Sequence, residues 1–402
     1  MRWLTSARSN AVGQNTWLSG LDLSNAAQSQ AWDHTPLPPQ PPAWIDPAQW
    51  MQINTDSSLN LSFLPDSSDV NGIPTPQKSS SPCDPRSPPS TDNLPDTPLF
   101  VELVDIYCER LYPFIPVIHK TKLIDTIQSG GIDSIPSALA FALAAVTAAH
   151  HPDQSVQSRQ DGWFQDAKAH TAKHMHAPDH AVQSLQAAVL IIYQAILETD
   201  FSTSWILLGE AWRKAVAIGC SQVDGGKVNI IPALGFKLRG HWIETEEARR
   251  VTWMLYMFDR GVCFSVGLIH AIDDRRLRIN FPMPDEIFQA ASPTSPEPTI
   301  KDPIKFSPDL DTIITSVQAH CRNKSASMQQ LLLLSYILLS NISELLHSLD
   351  FDYEKQEPKL DACIAHLIRI QLMLPHCATD LSAAKYEDFP ATAQRRGNFG
   401  RT

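Results

Sequence analysis

The stretch EEARRVTWMLYMFDR, residues 246–260, decides how the chain is read. Val251, Met254, Leu255 and Phe258, continued by Val262, recur at spacings of three and four. That is the period of one face of an α-helix buried against a core. Thr245 is the expected N-cap, and Glu246 and Glu247 fit the positive end of a helix opening there. Arg249 and Arg250 follow three or four residues later, so ion pairs along the helix surface are expected. Asp259-Arg260 near the end pairs a carboxylate with a guanidinium. A salt bridge, or a cap on a neighbouring loop, is the favoured reading over catalysis, because structural ion pairs are far commoner than catalytic ones.

Working outward, the same period recurs on both sides. Upstream, Trp205, Leu208, Trp212, Val216 and Gly219 define a helix over about 203–219, with Ser202 or Thr203 as cap, Gly219 as its close, and Gly209, Ala211, Ala215 and Ala217 permitting close approach of a neighbour. Further helices are expected at about 160–176 and 180–198. Pro136 suits the start of an apolar helix through Leu139, Leu143 and Val146, apolar on most faces and therefore central. Leu99, Leu103, Ile106 and Leu111 form another helix that Pro113 stops, and a short one around Ile124 ends near Gly130-Gly131. Downstream, one long helix over about 309–349 and a last one over about 358–374 are expected, with loops at about 224–240 and 290–308. Alternating strand patterns are lacking, so the fold class is all-α.

Composition bounds the ends. Fifteen of the 31 prolines precede Leu99, and residues 1–98 carry nine acidic against four basic side chains. Such a segment buries too little apolar surface to offset its ordering entropy, so 1–98 is read as disordered. Trp17, Trp32, Trp44, Trp50 and Phe63 alternate there with aspartates, a pattern shared by sticky linkers and by disordered activation segments. Thr75-Pro76, Ser81-Pro82, Ser87-Pro88 and Thr97-Pro98 are sites a proline-directed kinase can modify. The folded region is placed at 99–380, and a polar tail at 381–402.

The net charge is −11. Nucleic acid binding needs clustered Lys and Arg, and the best run, Arg275-Arg276-Leu277-Arg278, follows directly on Asp273-Asp274. The seven cysteines are widely spaced with no C-x-x-C pair, which points to reduced, buried thiols and to neither a zinc site nor a disulfide framework. No signal peptide is expected, and the apolar runs at 138–149 and 331–339 are shorter than the ~20 residues of a membrane span. A phosphate loop fails at Ser221 and Val228, and a nucleophile elbow fails at Cys263. His170, His174, His176 and His180 place two imidazoles on one helical face. Pro178 breaks that helix and no carboxylate or thiolate completes a shell, so solvated surface histidines are expected, with no metal. His150-His151 is expected to face a helix C-terminus. Neither a catalytic residue nor a cofactor is assigned.

Three ordered blocks resemble the fungal-specific transcription factor domain, the middle homology region of zinc-cluster regulators. LVDIYCERLYPFIPVIHKTKLIDTI, 103–127, is similar to its opening helix and proline turn, through Pro113, Pro116 and His119. SWILLGEAWRKAVAIGC, 204–220, is similar to its second helix through Trp205, Gly209, Ala211, Arg213, Ala215 and Gly219. The third block joins 246–260 to GLIHAIDDRRLRINFPMPDE, 267–286, and carries Glu246, Glu247, Arg249, Arg250, Trp253, Asp259 and Arg260. The resemblance implies an all-α regulatory domain, nuclear action and control of a target gene set, such as a secondary-metabolite cluster, without catalysis. The six-cysteine DNA-binding cluster common in that family has no counterpart in these residues, and its Gly-Arg-Pro reads Gly267-Leu268-Ile269 here. Direct DNA binding is therefore not expected of them. The expected partners are the transcription machinery, through 1–98, and a zinc-cluster factor or a second copy. Trp205, Trp212, Trp253 and Tyr256 are core candidates first and pocket candidates second. Two alternatives stay open: an all-α small-molecule binder or enzyme, and a gene model missing an upstream exon.

Overall fold

A helix with an apolar stripe is stable in water only when another element covers that stripe. The computed structural model describes residues 93–177, 179–225, 241–300, 302–323, 326–347 and 352–374. The expectations for residues 1–92, for most of the 224–240 loop and for the tail fall outside that range.

Twelve α-helices are described: α1 Thr97–Ile106, α2 Lys120–Gly130, α3 Ser137–Ala148, α4 Gln154–Gln157, α5 Gln160–His174, α6 Ala181–Leu197, α7 Phe201–Ala217, α8 Trp242–Val266, α9 Asp285–Ala290, α10 Leu310–Arg322, α11 Met328–Leu346 and α12 Tyr353–Met373. Among the described residues there is no β-strand, only an isolated antiparallel bridge between Asn280 and Lys305. The all-α reading holds.

The all-apolar helix is central, as its composition demands. Every residue of α3 from Ala138 to Ala148 is buried. It packs on α1, α5 and α6, and its alanines let those backbones approach while Phe141 fills the space between. Helix α6 then contacts α7 and α8, and α8 passes the core on to α11, which packs with α10 and α12. Between α1 and the Pro113 turn, Tyr107–Leu111 forms a π-helical turn that carries Tyr107, Cys108 and Leu111 inward. The Tyr107 hydroxyl donates to the Ile115 carbonyl.

Caps set most boundaries, and several differ from the sequence reading. Asp96 accepts from the Leu99 amide at 3.3 Å, so α1 starts earlier than Leu99. Helix α7 is capped by Asp200, which accepts from the Thr203 amide at 3.0 Å, instead of by Ser202 or Thr203. Gly219 follows its end at φ +88°, where a side chain would be strained, and closes the helix as expected. The single helix expected over 309–349 is two. Ser327 and Gln330 form a reciprocal capping box that starts α11 afresh after α10. Helix α12 begins at Tyr353, with Pro358 inside it. His150 and His151 directly follow the C-terminal end of α3, and the His151 ring has partners of its own. Its Nδ1 accepts from the Asp153 amide at 3.0 Å, and its Nε2 lies 3.2 Å from Glu102.

Helix α5 and its following turn are fastened by a buried cation. Lys214 on α7 donates from Nζ to the His174 carbonyl at 2.9 Å and to the Ala177 carbonyl at 3.3 Å. These are carbonyls that a helix end leaves without intrahelical partners. Burial pushes the Lys214 ammonium down to about 8. In the unfolded chain the group stays protonated to higher pH, so the unfolded state binds more protons between those limits. The native state is therefore expected to gain stability from this group as pH rises from 8 towards 10.5. The stability of the native chain relative to Lys214→Met, followed by urea denaturation, should rise across that window. A constant difference would contradict the assignment.

Candidate functional site: a buried ionic spine on α8

The residues picked out by the third block stand on one helix, and the helical period sorts them. Glu246, Arg250, Trp253, Met257 and Arg260 run down one side at steps of four and three. The helix begins at Trp242, three residues before the expected Thr245 cap. His241 caps it, its Nδ1 accepting from the Ile243 amide at 3.3 Å. Glu246 and Glu247 consequently lie in the second turn, past the reach of the N-terminal dipole, and both are buried. The surface ion pairs expected with Arg249 and Arg250 are interior ones.

Arg250 is fully buried, and its guanidinium spends its donors on five groups. Nε donates to Glu246 at 2.9 Å. Nη1 donates to Asp285 at 2.6 Å, to the Tyr112 hydroxyl at 3.0 Å and to the Pro116 carbonyl at 3.3 Å. Nη2 donates to the Met283 carbonyl at 2.6 Å. Its face stacks on Phe288 at 4.2 Å, and the Tyr112 hydroxyl closes the ring by donating to Asp285 at 2.8 Å. Glu246 also accepts from the Met283 amide at 3.0 Å and from Arg249. Arg249 makes a two-pronged contact with Asp224 at 3.0 and 2.8 Å, and Asp224 accepts from the Asn280 amide at 2.7 Å. Glu247 turns the other way, accepting from the His119 amide at 3.2 Å and from Lys122. One turn of α8 thus holds the proline turn at 112–119, the start of α2, the end of the α7 connection and the approach to α9. Burial works against the charged forms of Arg249 and Arg250. Their carboxylate neighbours, and Tyr112 beside Arg250, outweigh it and hold both above the ordinary arginine range.

A second node closes the helix. Asp259, fully buried, accepts from the Ala271 and Ile272 amides at 3.0 and 3.2 Å and from Arg260. Arg260 donates to the Ile272 carbonyl at 2.8 Å and to Asp274, and lies 4.3 Å over the Tyr256 ring. The expected salt bridge and loop cap are both present. Trp253 stands between the two nodes in an edge-to-face group with Tyr256, Phe281 and Phe306, its indole N–H donating to the Asn280 carbonyl at 2.8 Å. It is core. Burial, followed by Asp259, pushes the Cys263 thiol up to about 12, and burial does the same at Cys220, so neither is a ready nucleophile.

The second-block residues do not join this spine. Trp205 is half-buried and Arg213 exposed. A Cβ built on Gly209 would meet nothing within 4 Å. Close approach belongs instead to the fully buried Ala211 and Ala215. The histidine motif is split: His176 and His180 are exposed as expected, His174 is half-buried, and His170 departs from the surface setting. His170 is buried, 2.7 Å from the Ser137 hydroxyl, and the His174 ring stacks on it at 6.4 Å. Among the described residues no group of three or more potential ligands is placed to hold a metal. Sequence reasoning did not single out Asp224, Tyr112 or Asp285. Only the PDE ending of the third block and the tyrosine before Pro113 marked two of them.

The arrangement fastens loops. Its arginines each meet carboxylates or backbone carbonyls, which suits holding one geometry. Removing one partner of a buried pair strands the other. Arg250→Met is expected to lower stability by about 3–5 kcal/mol, read as the shift of the urea unfolding curve. Arg260→Lys should also destabilise, because an ammonium cannot reproduce the planar fork. Arg213→Ala should stay within about 0.5 kcal/mol.

Comparison with known proteins places the geometry. Over 195 residues the chain is 23% identical to a pigment biosynthesis transcriptional activator of Monascus ruber, covering 47% of this chain and 34% of that protein. It is 25% identical over 177 residues to a tropolone cluster transcription factor of Talaromyces stipitatus, covering 43% and 30%. An azaphilone cluster-specific transcription factor of Aspergillus niger matches at 23% over 223 residues, covering 52% and 45%. The match thus spans less than half the length of each of these relatives. No solved structure matches the chain. The model of the fungal specific transcription factor domain family matches residues 104–374, from α1 to the end of α12 and across the whole ionic spine. The chain belongs to the fungal specific transcription factor domain family.

Proposed function

We propose that this chain is a transcription regulator of a secondary-metabolite gene set, and that its helical region works by contact with other proteins. One observation carries the reading: the family match over 104–374, reinforced by relatives named as activators or transcription factors of pigment, tropolone and azaphilone clusters. The ionic spine supports it. A domain that must keep one surface shape while bound to partners gains from arginines that pin its loops. In this reading the site of action is the nucleus, and no covalent chemistry is involved.

The partners follow from charge. At −11 the chain is repelled by duplex DNA unless a local basic patch compensates. The basic run at 275–278 is partly neutralised in place, since Arg275 grips Asp273 with Nε at 2.9 Å and Nη2 at 3.1 Å, and Arg276 lies 3.8 Å from the same carboxylate. Recruitment through a DNA-bound zinc-cluster factor or a second copy fits this balance. Residues 1–98, with aromatics set among aspartates, would contact the transcription machinery.

Deleting the gene and measuring transcripts genome-wide tests the proposal. A coordinated fall of at least tenfold in one biosynthetic cluster is expected, and restoring the chain without residues 1–98 should fail to rescue it. An unchanged transcript profile would sink the reading. Sequencing the 5′ end of the transcript adds the discrimination that matters for DNA binding: an upstream exon with six closely spaced cysteines would transfer that role to this protein.

A further inference from the structure

Helix α7 gives one side to the core and leaves the other bare. Leu208, Ala211, Trp212 and Ala215 are buried where the helix meets α6 and α8. Its outer side carries Trp205, Ile206, Gly209, Arg213 and Val216 at helical spacing. Ile206 is 60% and Val216 46% exposed. Trp205 and Gly209 are half-buried, and Glu210 and Arg213 are exposed.

Two features of this side go unused by the chain itself. The first is Gly209. A glycine inside a helix costs stability relative to alanine, and close approach by another backbone is what offsets that cost. A Cβ at Gly209 would meet nothing within 4 Å, so no described segment of this chain makes the approach. The second is a group of complementary side chains. Glu210 and Arg213 make no ion pair or hydrogen bond among the described residues, and the Trp205 ring has no aromatic or cationic neighbour there.

The face is complementary to itself. In a symmetric antiparallel crossing centred on Gly209, a residue some places before it meets the partner's residue the same number of places after it. Trp205 and Arg213 lie four places either side, so each guanidinium comes over the other copy's indole. Ser202 and Val216 lie seven places either side. Glu210 flanks the crossing. Helical side chains lean towards the N-terminus, which carries its carboxylate towards the partner's Arg213. Every one of these contacts occurs twice. Beside them, between α5 and α7, runs a groove of about 240 Å³ lined by Lys168, Ala172, Ile206, Leu207 and Glu210, with room for the methylene stem of that arginine.

We propose that α7 pairs with α7 of a second copy of this chain through this outer face. The pairing gives the second-copy contact proposed above, on which it rests, a surface. One helix from each copy falls short of the roughly 800 Å² a side that stable interfaces bury, so the dimer is weak and reversible.

Sedimentation velocity of the purified full chain, from about 1 to 100 μM, tests the pairing. A monomer–dimer equilibrium is expected. Gly209→Leu, Glu210→Arg and Arg213→Glu should each weaken it at least tenfold, the two charge variants because like charges then face each other. All three positions lie outside the core, and circular dichroism checks that each variant is folded. An equimolar mixture of the Glu210→Arg and Arg213→Glu chains should dimerise again, because every facing pair is then of opposite sign. A chain that stays monomeric throughout would overturn the pairing. So would a dimer that Arg213→Glu and Gly209→Leu leave intact, or a mixture no tighter than either charge variant alone. A monomeric chain beside a changed transcript profile counts against the pairing alone, and a dimer beside a flat profile against the gene-set reading alone.

Discussion

The fold turns on one buried guanidinium. Arg250 is enclosed by groups drawn from the turn after α1, from α8 itself and from the approach to α9. An arginine cannot shed its proton to escape burial, so its surroundings have to supply acceptors at fixed positions. Apolar packing tolerates small slides between helices. A planar fork shared among two carboxylates, two carbonyls and a hydroxyl does not, and so it specifies register where hydrophobic contact alone would leave latitude. Helices α3, α6 and α8 provide the mass of the core, and the arginines determine how the connecting segments lie upon it.

The two nodes divide that labour. Glu246 and its arginine partners hold segments that arrive from elsewhere in the chain. Asp259 and Arg260 hold the segment that leaves α8 directly, through the backbone of Ala271 and Ile272. Trp253 fills the interval and adds a hydrogen bond of its own to the same departing segment. Gly267 belongs to this design. It ends α8 at φ +68°, where a side chain would be strained, and the His347 imidazole lies 2.7 Å from where its Cβ would be.

Much of this was legible in the sequence, and the rest failed for definable reasons. The unbroken apolar run at 138–148 could only be a central helix, and the stripe through Val251, Leu255 and Val262 only a helix against a core. The break between α10 and α11 was missed although no leucine or isoleucine falls between Ile314 and Leu331. The signal was Ser327 followed three residues later by Gln330, a local hydrogen-bond pattern that periodicity does not register. The placement of Glu246 and Arg250 in the interior was also missed. Spacing says which residues face each other along a helix, but not whether water reaches them, and the partners that decide this, Asp224 and Asp285, lie 25 and 35 residues away. Gly209 was over-read: a small residue permits close approach only where a neighbour is near, and the neighbours stand beside Ala211 and Ala215.

The span of the Arg250 contacts bears on how the chain is born. Tyr112 precedes this arginine by 138 residues, while Asp285 follows it by 35. A ribosome extends the chain at roughly 5–20 residues per second, so for a few seconds Arg250 exists before its C-terminal acceptors have been made. During that interval Glu246 is the one carboxylate of the set that Arg250 can meet, and the full set of acceptors exists only after Met283 and Asp285 have been made.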